Sequence, residues 1–287
     1  MNASRAILRK ASKVMVSLAL GAGIAIGSGV STLAHAATST MDQIKQSKEF
    51  RIGVAPGDPW YYKDPSTGAW SGVGLLIGEK IAGDLGVKLV PVETTWGNSV
   101  AALQANQIDA MFVLDATAER KKALDFPTNP LLYYKQGVLV KKGLDAKTWA
   151  DLDNANVRLG VVLGTATDLD LTKRLPKANL QRFANTDEAV SAFMANRVDG
   201  IAFYHPVLVI AYSHIHKGAV VIPSPEISLP TSAGIRQEAD PAFKNFLNAE
   251  FAKYYQDGTI QKLYAQYLQT KGVDASQMPS VMNQAAK

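Results

Sequence analysis

VAALQANQIDA at residues 100–110 recurs ninety positions later as VSAFMANRVDG at residues 190–200. In both copies, apolar residues at helical spacing lead into an Asn-x-Ile/Val-Asp turn. An apolar run typical of a buried strand follows, at residues 111–114 and again at residues 201–204. Helix, turn and strand therefore occur twice, which predicts two similar α/β lobes. A cleft between two such lobes is a common place for a small molecule to bind.

The repeat also makes a positional prediction. Asp109 and Asp199 end the two copies, so we expect them to occupy equivalent positions, each directly before a sheet strand. We further expect the two strands to lie in separate lobes and not in one continuous sheet.

Outside the repeat, segments with strand and helix character alternate along the chain. This alternation predicts an α/β protein whose lobes each contain a mainly parallel sheet flanked by helices. Extended segments near residues 134–140 and 228–235 are the expected crossings between the lobes. Lobe one then comprises residues 37–137 and 231–287, and lobe two comprises residues 138–230.

The N-terminal 36 residues have the pattern of a secretory signal peptide. Four basic residues and no acid precede an apolar stretch at residues 14–30, and Ala34-His35-Ala36 supplies a small-x-small cleavage motif. A membrane anchor is the alternative, but the stretch is short and rich in glycine for a stable span. Since the chain has no cysteine, it cannot carry a lipid-modified N-terminal cysteine. We predict cleavage after Ala36 and a soluble periplasmic protein.

Charge and cysteine content exclude several classes of function. Removing residues 1–36 leaves 26 basic against 25 acidic residues, so the net charge falls from +5 to +1. This balance gives no support for nucleic acid or an anionic membrane as a partner. The lack of cysteine also excludes disulfides, thiolate metal sites and cysteine nucleophiles.

Short motifs in a fixed order carry a family resemblance. They are Arg51-Ile-Gly-Val, Gly68-x-x-x-Gly72, Ala82-x-x-Leu85-Gly86-Val87, Leu103-x-x-x-x-Ile108-Asp109-Ala110, Thr117-x-x-Arg120, Asp125-Phe126-x-x-x-Pro130, Gly160-Val-Val-Leu-Gly164-Thr165 and Asp257-Gly258-Thr259. In this order the chain resembles bacterial extracellular solute-binding proteins of family three, the amino-acid type. The resemblance implies the two-lobed type II periplasmic binding fold. It also implies a monomer without cofactor or metal that delivers a small carboxylate-bearing solute, an amino acid or related organic acid, to a membrane ABC permease.

The resemblance assigns the ligand carboxylate to Arg120, in the motif that begins at Thr117. A guanidinium can form two parallel charge-assisted bonds to a carboxylate, which lysine cannot copy. The alternative is a surface arginine, because Lys121 and Lys122 adjoin it. The stretch from Asp109 to Arg120 is also one residue shorter than the family pattern.

Other ligand contacts follow from the same resemblance. The turn Gly164-Thr165-Ala166-Thr167 opens a helix, whose free N–H groups favour an anion; simple capping by Thr167 or Asp168 is the alternative. Trp60 and Trp96 stand where aromatic residues cover the apolar part of a ligand, with core packing as the alternative.

Two acids that the family uses to hold a ligand ammonium are missing. Ala55 or Pro56 occupies the first position, and Tyr204, followed by His205, occupies the second. A buried ammonium without an anionic partner is costly. Either the ligand lacks an α-ammonium or Asp115 or Asp58 replaces the missing acids.

Two other functions share this scaffold. Periplasmic dehydratases acting on prephenate or arogenate would need a general acid or base in the cleft, for which His205, Asp115 or Asp58 are candidates. A redox-associated accessory protein would use the scaffold for protein contacts, and a sealed or filled cleft would favour that role. The pair His214 and His216 has no third ligand nearby in the sequence, so we expect no metal site there.

Overall fold

The structure is a computed structural model that describes residues 38–277 and 280–282. The predicted signal peptide, residues 1–36, lies outside the described residues. From Thr38 onward the described chain belongs to one compact unit. Within this described part, no helix has both the length and the apolar character that crossing a membrane requires.

Twelve strands are formed by the described residues: β1 (Glu49–Val54), β2 (Tyr62–Lys63), β3 (Trp70–Ser71), β4 (Lys88–Glu93), β5 (Ala110–Leu114), β6 (Leu124–Asp125), β7 (Leu132–Val140), β8 (Arg158–Val162), β9 (Asn179–Phe183), β10 (Gly200–Tyr204), β11 (Ala219–Val221) and β12 (Ser228–Arg236). The α-helices over the same part of the chain are α1 (Thr40–Ser47), α2 (Val73–Leu85), α3 (Ser99–Gln104), α4 (Ala118–Lys121), α5 (Trp149–Leu152), α6 (Ala166–Arg174), α7 (Thr186–Met194), α8 (His205–Ile215), α9 (Ala242–Gln256) and α10 (Thr259–Thr270). A 3₁₀ turn spans Ala275–Gln277.

Sheet pairing divides the chain into two parts. The strand order is β4-β1-β5-β12-β7-β10-β8-β9, with β6 beside β12 and β11 beside β7. On one side, β4, β1 and β5 run parallel; on the other, β10, β8 and β9 run parallel. The antiparallel strands β7 and β12 lie between the two sets. The predicted alternation of parallel strands and helices is therefore found on both sides.

The central strands each serve both parts of the sheet. In β7, Leu132–Lys135 pair with β12, whereas the residues from Gln136 onward pair with β10. In β12, Ser228 to Thr231 pair with β7, and the residues from Ser232 onward pair with β5. The expectation that the two repeat strands belong to separate sheets is therefore wrong, because β12 and β7 join β5 and β10 in one continuous sheet. The two extended crossings run side by side and hydrogen-bond to each other, which joins the two sets of strands.

The positional prediction from the repeat is confirmed. Asp109 directly precedes β5 and accepts hydrogen bonds from the backbone N–H of Arg51 at 2.7 Å and from its Nε at 3.2 Å. Asp199 directly precedes β10 and accepts the same two bonds from Arg158, both at 3.0 Å. Each aspartate is buried and ties the start of one strand to the first residues of its parallel neighbour.

Two elements differ from the sequence interpretation. The strand β9, Asn179–Phe183, was not expected, because its mixture of polar and apolar residues has no clear alternation. It is an edge strand paired only with β8 among the described strands, so one side remains exposed. Helix α6 begins at Ala166, and its N-cap is Thr165 and neither Thr167 nor Asp168.

Candidate functional site

A buried space lies where the carboxyl ends of β5 and β10 approach the central strands. Six of the residues proposed as ligand contacts from the sequence line it, namely Trp60, Trp96, Asp115, Arg120, Thr165 and Tyr204. Including its opening, the space not occupied by atoms measures about 270 Å³. This is slightly below the roughly 300–1,000 Å³ typical of small-molecule pockets. The site is therefore a narrow cleft in which side chains from both parts of the sheet meet.

Asp115 is the acidic residue at the centre of this cleft. Its carboxylate accepts a hydrogen bond from the Tyr134 hydroxyl at 2.7 Å and another from the Tyr204 hydroxyl at 2.8 Å. Burial raises the pKa of Asp115, and the nearby charge of Arg120 and the two tyrosine hydroxyls partly offset this effect. Tyr134 belongs to the crossing strand β7, whereas Tyr204 belongs to β10, so the carboxylate links β5 to the opposite set of strands through Tyr204.

A β-bulge immediately before Asp115 sets the direction of this side chain. Leu114 pairs with Ser232 and Phe112 pairs with Ala233, so Val113 is the additional residue on β5. Val113 has a φ of 59°, which is rare for a β-branched residue. Bulges bend a strand and redirect the side chains that follow. Here the local strain accompanies a carboxylate held in a cleft, as strain often does at functional sites.

Arg120 is buried beside Asp115, with 5% of the residue exposed. Its Nη1 donates to the main-chain oxygen of Asp115 at 3.0 Å, and its Nη2 donates to the main-chain oxygen of Gly164 at 2.8 Å. The alternative of a surface arginine is therefore wrong for this structure. Both acceptors are neutral carbonyl groups, which bind a guanidinium less strongly than a carboxylate would.

Aromatic rings form most of the remaining wall. The rings of Tyr134 and Tyr204 lie with centroids 3.8 Å apart, and Trp60 packs against Tyr134 at 5.5 Å. Burial and the charge of Asp115 raise the pKa of both tyrosines well above the ordinary value, so each hydroxyl remains a donor at neutral pH. The indole N–H groups of Trp60 and Trp96 are buried and have no hydrogen-bond partner in the described chain.

The main chain of the two halves also meets at this cleft. A Cβ built on Gly164 would lie 2.6 Å from the Cα of Gly97, which is closer than real Cβ atoms approach. Gly164 also has a φ of +73°, in the region that favours glycine. Only glycine therefore allows the loop after β8 to touch the loop after β4.

Helix α6 starts directly behind Gly164. The Thr165 hydroxyl accepts from the N–H of Asp168 at 3.2 Å and donates to the oxygen of Val162 at 2.8 Å. Ala166, the first helical residue, lines the cleft. The N–H groups of a first helical turn lack partners within the helix and favour an anion. The helix end thus faces the same space as Arg120.

Four residues proposed from the sequence do not line this space. Thr117 is the N-cap of α4 and accepts from the Arg120 N–H at 3.2 Å, so it positions that residue from outside the cleft. Gly164 contributes through its carbonyl group. Thr167 is fully buried behind Tyr204. His205 starts α8, and burial lowers its pKa.

Asp58, the second candidate for the missing acid, lies elsewhere. Its Oδ1 accepts from the Tyr267 hydroxyl at 2.8 Å, and its Oδ2 lies 3.1 Å from Nζ of Lys271. It does not line the cleft that contains Arg120. Of the two candidates, the structure brings only Asp115 to the site.

Sequence reasoning missed four lining residues: Val113, Tyr134, Ala166 and Phe203. Tyr134 is the most important of the four, because its hydroxyl donates a hydrogen bond to the Asp115 carboxylate. Its strand was predicted, and the alternation of side chains along β7 could have placed Tyr134, Gln136 and Val138 on one face. Which face meets the cleft depends on the pairing with β12 and β10. That pairing is not visible in the sequence.

Residues 50–270 match the family described as bacterial extracellular solute-binding proteins, family 3. The ABC transporter glutamine-binding protein GlnH of Bacillus subtilis is 25% identical over 236 residues, or 80% of this chain and 84% of that protein. The general L-amino acid-binding periplasmic protein AapJ of Rhizobium johnstonii is 30% identical over 197 residues, which cover 64% of this chain and 55% of AapJ.

Two solved structures of amino-acid-binding proteins are also similar to this chain over most of its length. The ancestral amino acid-binding protein AncCDT-1, described as a precursor of cyclohexadienyl dehydratase, is 31% identical with a TM-score of 0.72 over 80% of this chain and 99% of that chain. The solute receptor for L-cysteine of Neisseria gonorrhoeae is 25% identical with a TM-score of 0.73 over 81% of this chain and 94% of that chain. The predicted two-lobed type II fold is confirmed.

Proposed function

Because this chain belongs to family 3 of the bacterial extracellular solute-binding proteins, we propose that it captures an α-amino acid in its cleft for delivery to an ABC permease. One observation supports an α-amino acid as the ligand. Asp115 and Arg120, a buried acid and a buried base, face the same narrow space. An α-amino acid carries the complementary pair of charges on one carbon atom.

In the proposed complex, Arg120 binds the ligand carboxylate. The guanidinium has five N–H donors, and two of its nitrogens now donate to the main-chain oxygens of Asp115 and Gly164. A carboxylate is a stronger acceptor than either carbonyl group. The N-terminus of α6, at Ala166, adds a positive partial charge on the same side of the cleft.

Asp115 binds the ligand ammonium and replaces the two acids that this chain lacks. Its oxygens accept from Tyr134 and Tyr204 at 2.7 and 2.8 Å, and each carboxylate oxygen can accept a further bond. The aromatic residues Trp60, Trp96 and Phe203 then cover the apolar part of the ligand. An organic acid without an ammonium would leave this buried anion unpaired beside a second anion.

We assign binding and no catalytic step to the cleft. The relatives GlnH and AapJ are both named as binding proteins. His205 and Asp58, two of the three residues considered for acid–base work, do not line the cleft. Asp115, the third, is held by two tyrosine hydroxyls in the role of an acceptor.

Export and lobe motion complete the proposal. The protein is secreted through the signal peptide of residues 1–36 and acts in the periplasm as a monomer. The proposed lobes are residues 37–137 with 231–287, and residues 138–230. The change of pairing partner near Gln136 in β7 and Ser232 in β12 supports these limits. The lobes must separate for a ligand to enter, since Arg120 and Asp115 are buried.

The narrowness of the cleft favours a second candidate, an accessory protein that uses this scaffold for protein contacts. Side chains and the glycine pair Gly97 and Gly164 already touch across the cleft. In that case Asp115, Tyr134 and Tyr204 would be a structural cluster that no solute displaces.

A ligand panel tests both candidates. Titration calorimetry of the purified protein with the common L-amino acids, each paired with its 2-oxo or 2-hydroxy analogue, should show binding by at least one amino acid and not by its analogue. Binding of the analogues alone would replace the amino acid with an organic acid. No binding across the panel, together with no ligand released on denaturation and detected by mass spectrometry, would reject solute capture and favour the accessory role.

A further inference from the structure

A second pocket lies beside the cleft, and we call it the lateral pocket. Its walls come from Asp58 in the loop after β1, from Tyr62 of β2, and from helices α7 and α8. Its space, including the opening, is about 450 Å³. A Cβ on Gly57 would lie 3.5 Å from Nε1 of Trp96 and 3.8 Å from Oγ1 of Thr186, so Gly57 separates the lateral pocket from the cleft. Both parts of the fold contribute to it.

One of the two acids that line the lateral pocket has no bonded partner. Asp58 accepts a hydrogen bond from the Tyr267 hydroxyl through Oδ1 and forms an ion pair with Lys271 through Oδ2. Asp187, in the first turn of α7, is an exposed residue at the edge of the pocket, and it has no hydrogen bond or ion pair with any part of the chain that the structure describes. His214 of α8 lines the same space. Partial burial and then the charge of Asp58 raise the pKa of Asp187, and the nearby His214 partly offsets this effect.

Thr186 is a second and independent sign of a ligand. The residue lines the lateral pocket and is 6% exposed, and its buried hydroxyl has no hydrogen-bond partner among the described residues. A buried hydroxyl without a partner is unfavourable, so such groups are usually satisfied by a water or a ligand. It lies next to Asp187 in the chain and can accept or donate a hydrogen bond.

The remaining wall is aliphatic. Val207 and Ile210 of α8 are both buried and border the lateral pocket. Such a wall suits a short hydrocarbon chain, whereas Asp187 and Thr186 suit an N–H donor that carries positive charge. Ca²⁺ needs six to eight oxygen ligands, which one free carboxylate and one hydroxyl do not supply.

We propose that the lateral pocket is a second ligand site that binds a small alkylammonium ion. Asp187 is its counter-ion, Thr186 accepts one of its N–H bonds, and Val207 and Ile210 contact its alkyl chain. The site does not depend on the identity of the ligand in the cleft.

The test is an NMR titration of the ¹⁵N-labelled protein with n-butylammonium chloride at constant ionic strength. We expect saturable shifts of the amides around Thr186, Asp187 and Ile210. Neither ammonium chloride, which lacks the alkyl chain, nor n-butanol, which lacks the charge, should reproduce them. Equal shifts with either compound would overturn the proposal.

Substitutions locate the binding site. Asp187→Asn should weaken butylammonium binding by roughly two- to fivefold, the range for an exposed ion pair. Thr186→Val should also weaken it. Asp145→Asn is the matched control, because it removes one exposed acid that does not line the lateral pocket. The affinity of this variant for butylammonium should equal that of the wild type.

The cleft provides the remaining control. If Asp115→Asn abolishes binding while Asp187→Asn retains it, the ion binds in the cleft and the lateral pocket is not a site. This result would leave the proposed function intact, whereas loss of amino-acid binding alone would not affect the lateral pocket.

Discussion

Arg120 of α4 and Gly164 of the loop after β8 are joined across the cleft by a hydrogen bond of 2.8 Å from Nη2 to the main-chain oxygen. The guanidinium assigned to the ligand carboxylate therefore also holds the two parts of the fold together. A guanidinium binds a charged carboxylate more strongly than a neutral carbonyl oxygen. A ligand carboxylate can thus replace these carbonyl contacts when the cleft opens and closes around it.

The geometry of this guanidinium is open to a direct test. Arg120→Lys keeps the positive charge and loses the planar fork, so amino-acid affinity should fall by roughly 1–3 kcal/mol. Titration calorimetry with an amino acid identified by the panel gives the value. Arg197→Lys, at an exposed position of the second repeat, is the matched control and should bind normally. An unchanged dissociation constant in Arg120→Lys would remove this residue from the site.

The contact between Gly164 and Gly97 predicts an asymmetry between two alanine substitutions. Gly164→Ala places a Cβ 2.6 Å from the Cα of Gly97 and strains a φ of +73°, so it should hold the cleft open. Gly97→Ala places a Cβ no nearer than 3.8 Å to another atom and should be tolerated. Small-angle X-ray scattering with saturating amino acid should show a larger radius of gyration for Gly164→Ala alone. Equal scattering from both variants would argue against a closing contact here.

The sequence predicted the parts of the fold that depend on local pattern. The repeat located Asp109 before β5 and Asp199 before β10. These positions follow from helical periodicity and buried apolar runs, which neighbouring residues specify. Arg120 came from the family motif and not from spacing.

Features that depend on pairing could not be predicted in this way. The bulge at Val113 exists only relative to β12, since Phe112 and Leu114 pair with adjacent residues of that strand. Tyr134 reaches Asp115 because β7 crosses between the two sets of strands. The direct pairing of β7 with β12, which overturned the expectation of separate sheets, is equally a long-range property.

The ion pairs of Asp199 with Arg158 and Lys141 predict that the stability of the fold depends on pH. Arg158, and to a smaller degree Lys141, hold the pKa of Asp199 well below its ordinary value. A depressed native pKa stabilises the fold above the unfolded pKa of about 3.9, and this contribution is lost as the pH falls below it. Asp199→Asn should lower the free energy of unfolding by roughly 1–3 kcal/mol at pH 7.

Urea unfolding followed by circular dichroism measures this effect. The gap between the wild type and Asp199→Asn should narrow steadily as the pH is lowered below about 4. Asp145→Asn, which replaces an exposed acid, should match the wild type at each pH. A gap that is constant with pH would show that Asp199 acts through packing and not through its charge.

Substitution of Asp115 tests whether the ligand is an α-amino acid or an organic acid that lacks an ammonium group. Asp115→Asn keeps the size of the side chain and removes the buried negative charge beside Arg120. If Asp115 binds the ligand ammonium, amino-acid affinity should fall by about 2–5 kcal/mol, the range for breaking a buried charge pair. The matching 2-oxo acid lacks the ammonium, and its binding should improve because the cleft no longer presents an anion to its carboxylate. Calorimetry with both compounds, and a thermal midpoint to check folding, gives this comparison. Parallel losses for the amino acid and the 2-oxo acid would instead mean that Asp115 only orients Arg120, Tyr134 and Tyr204.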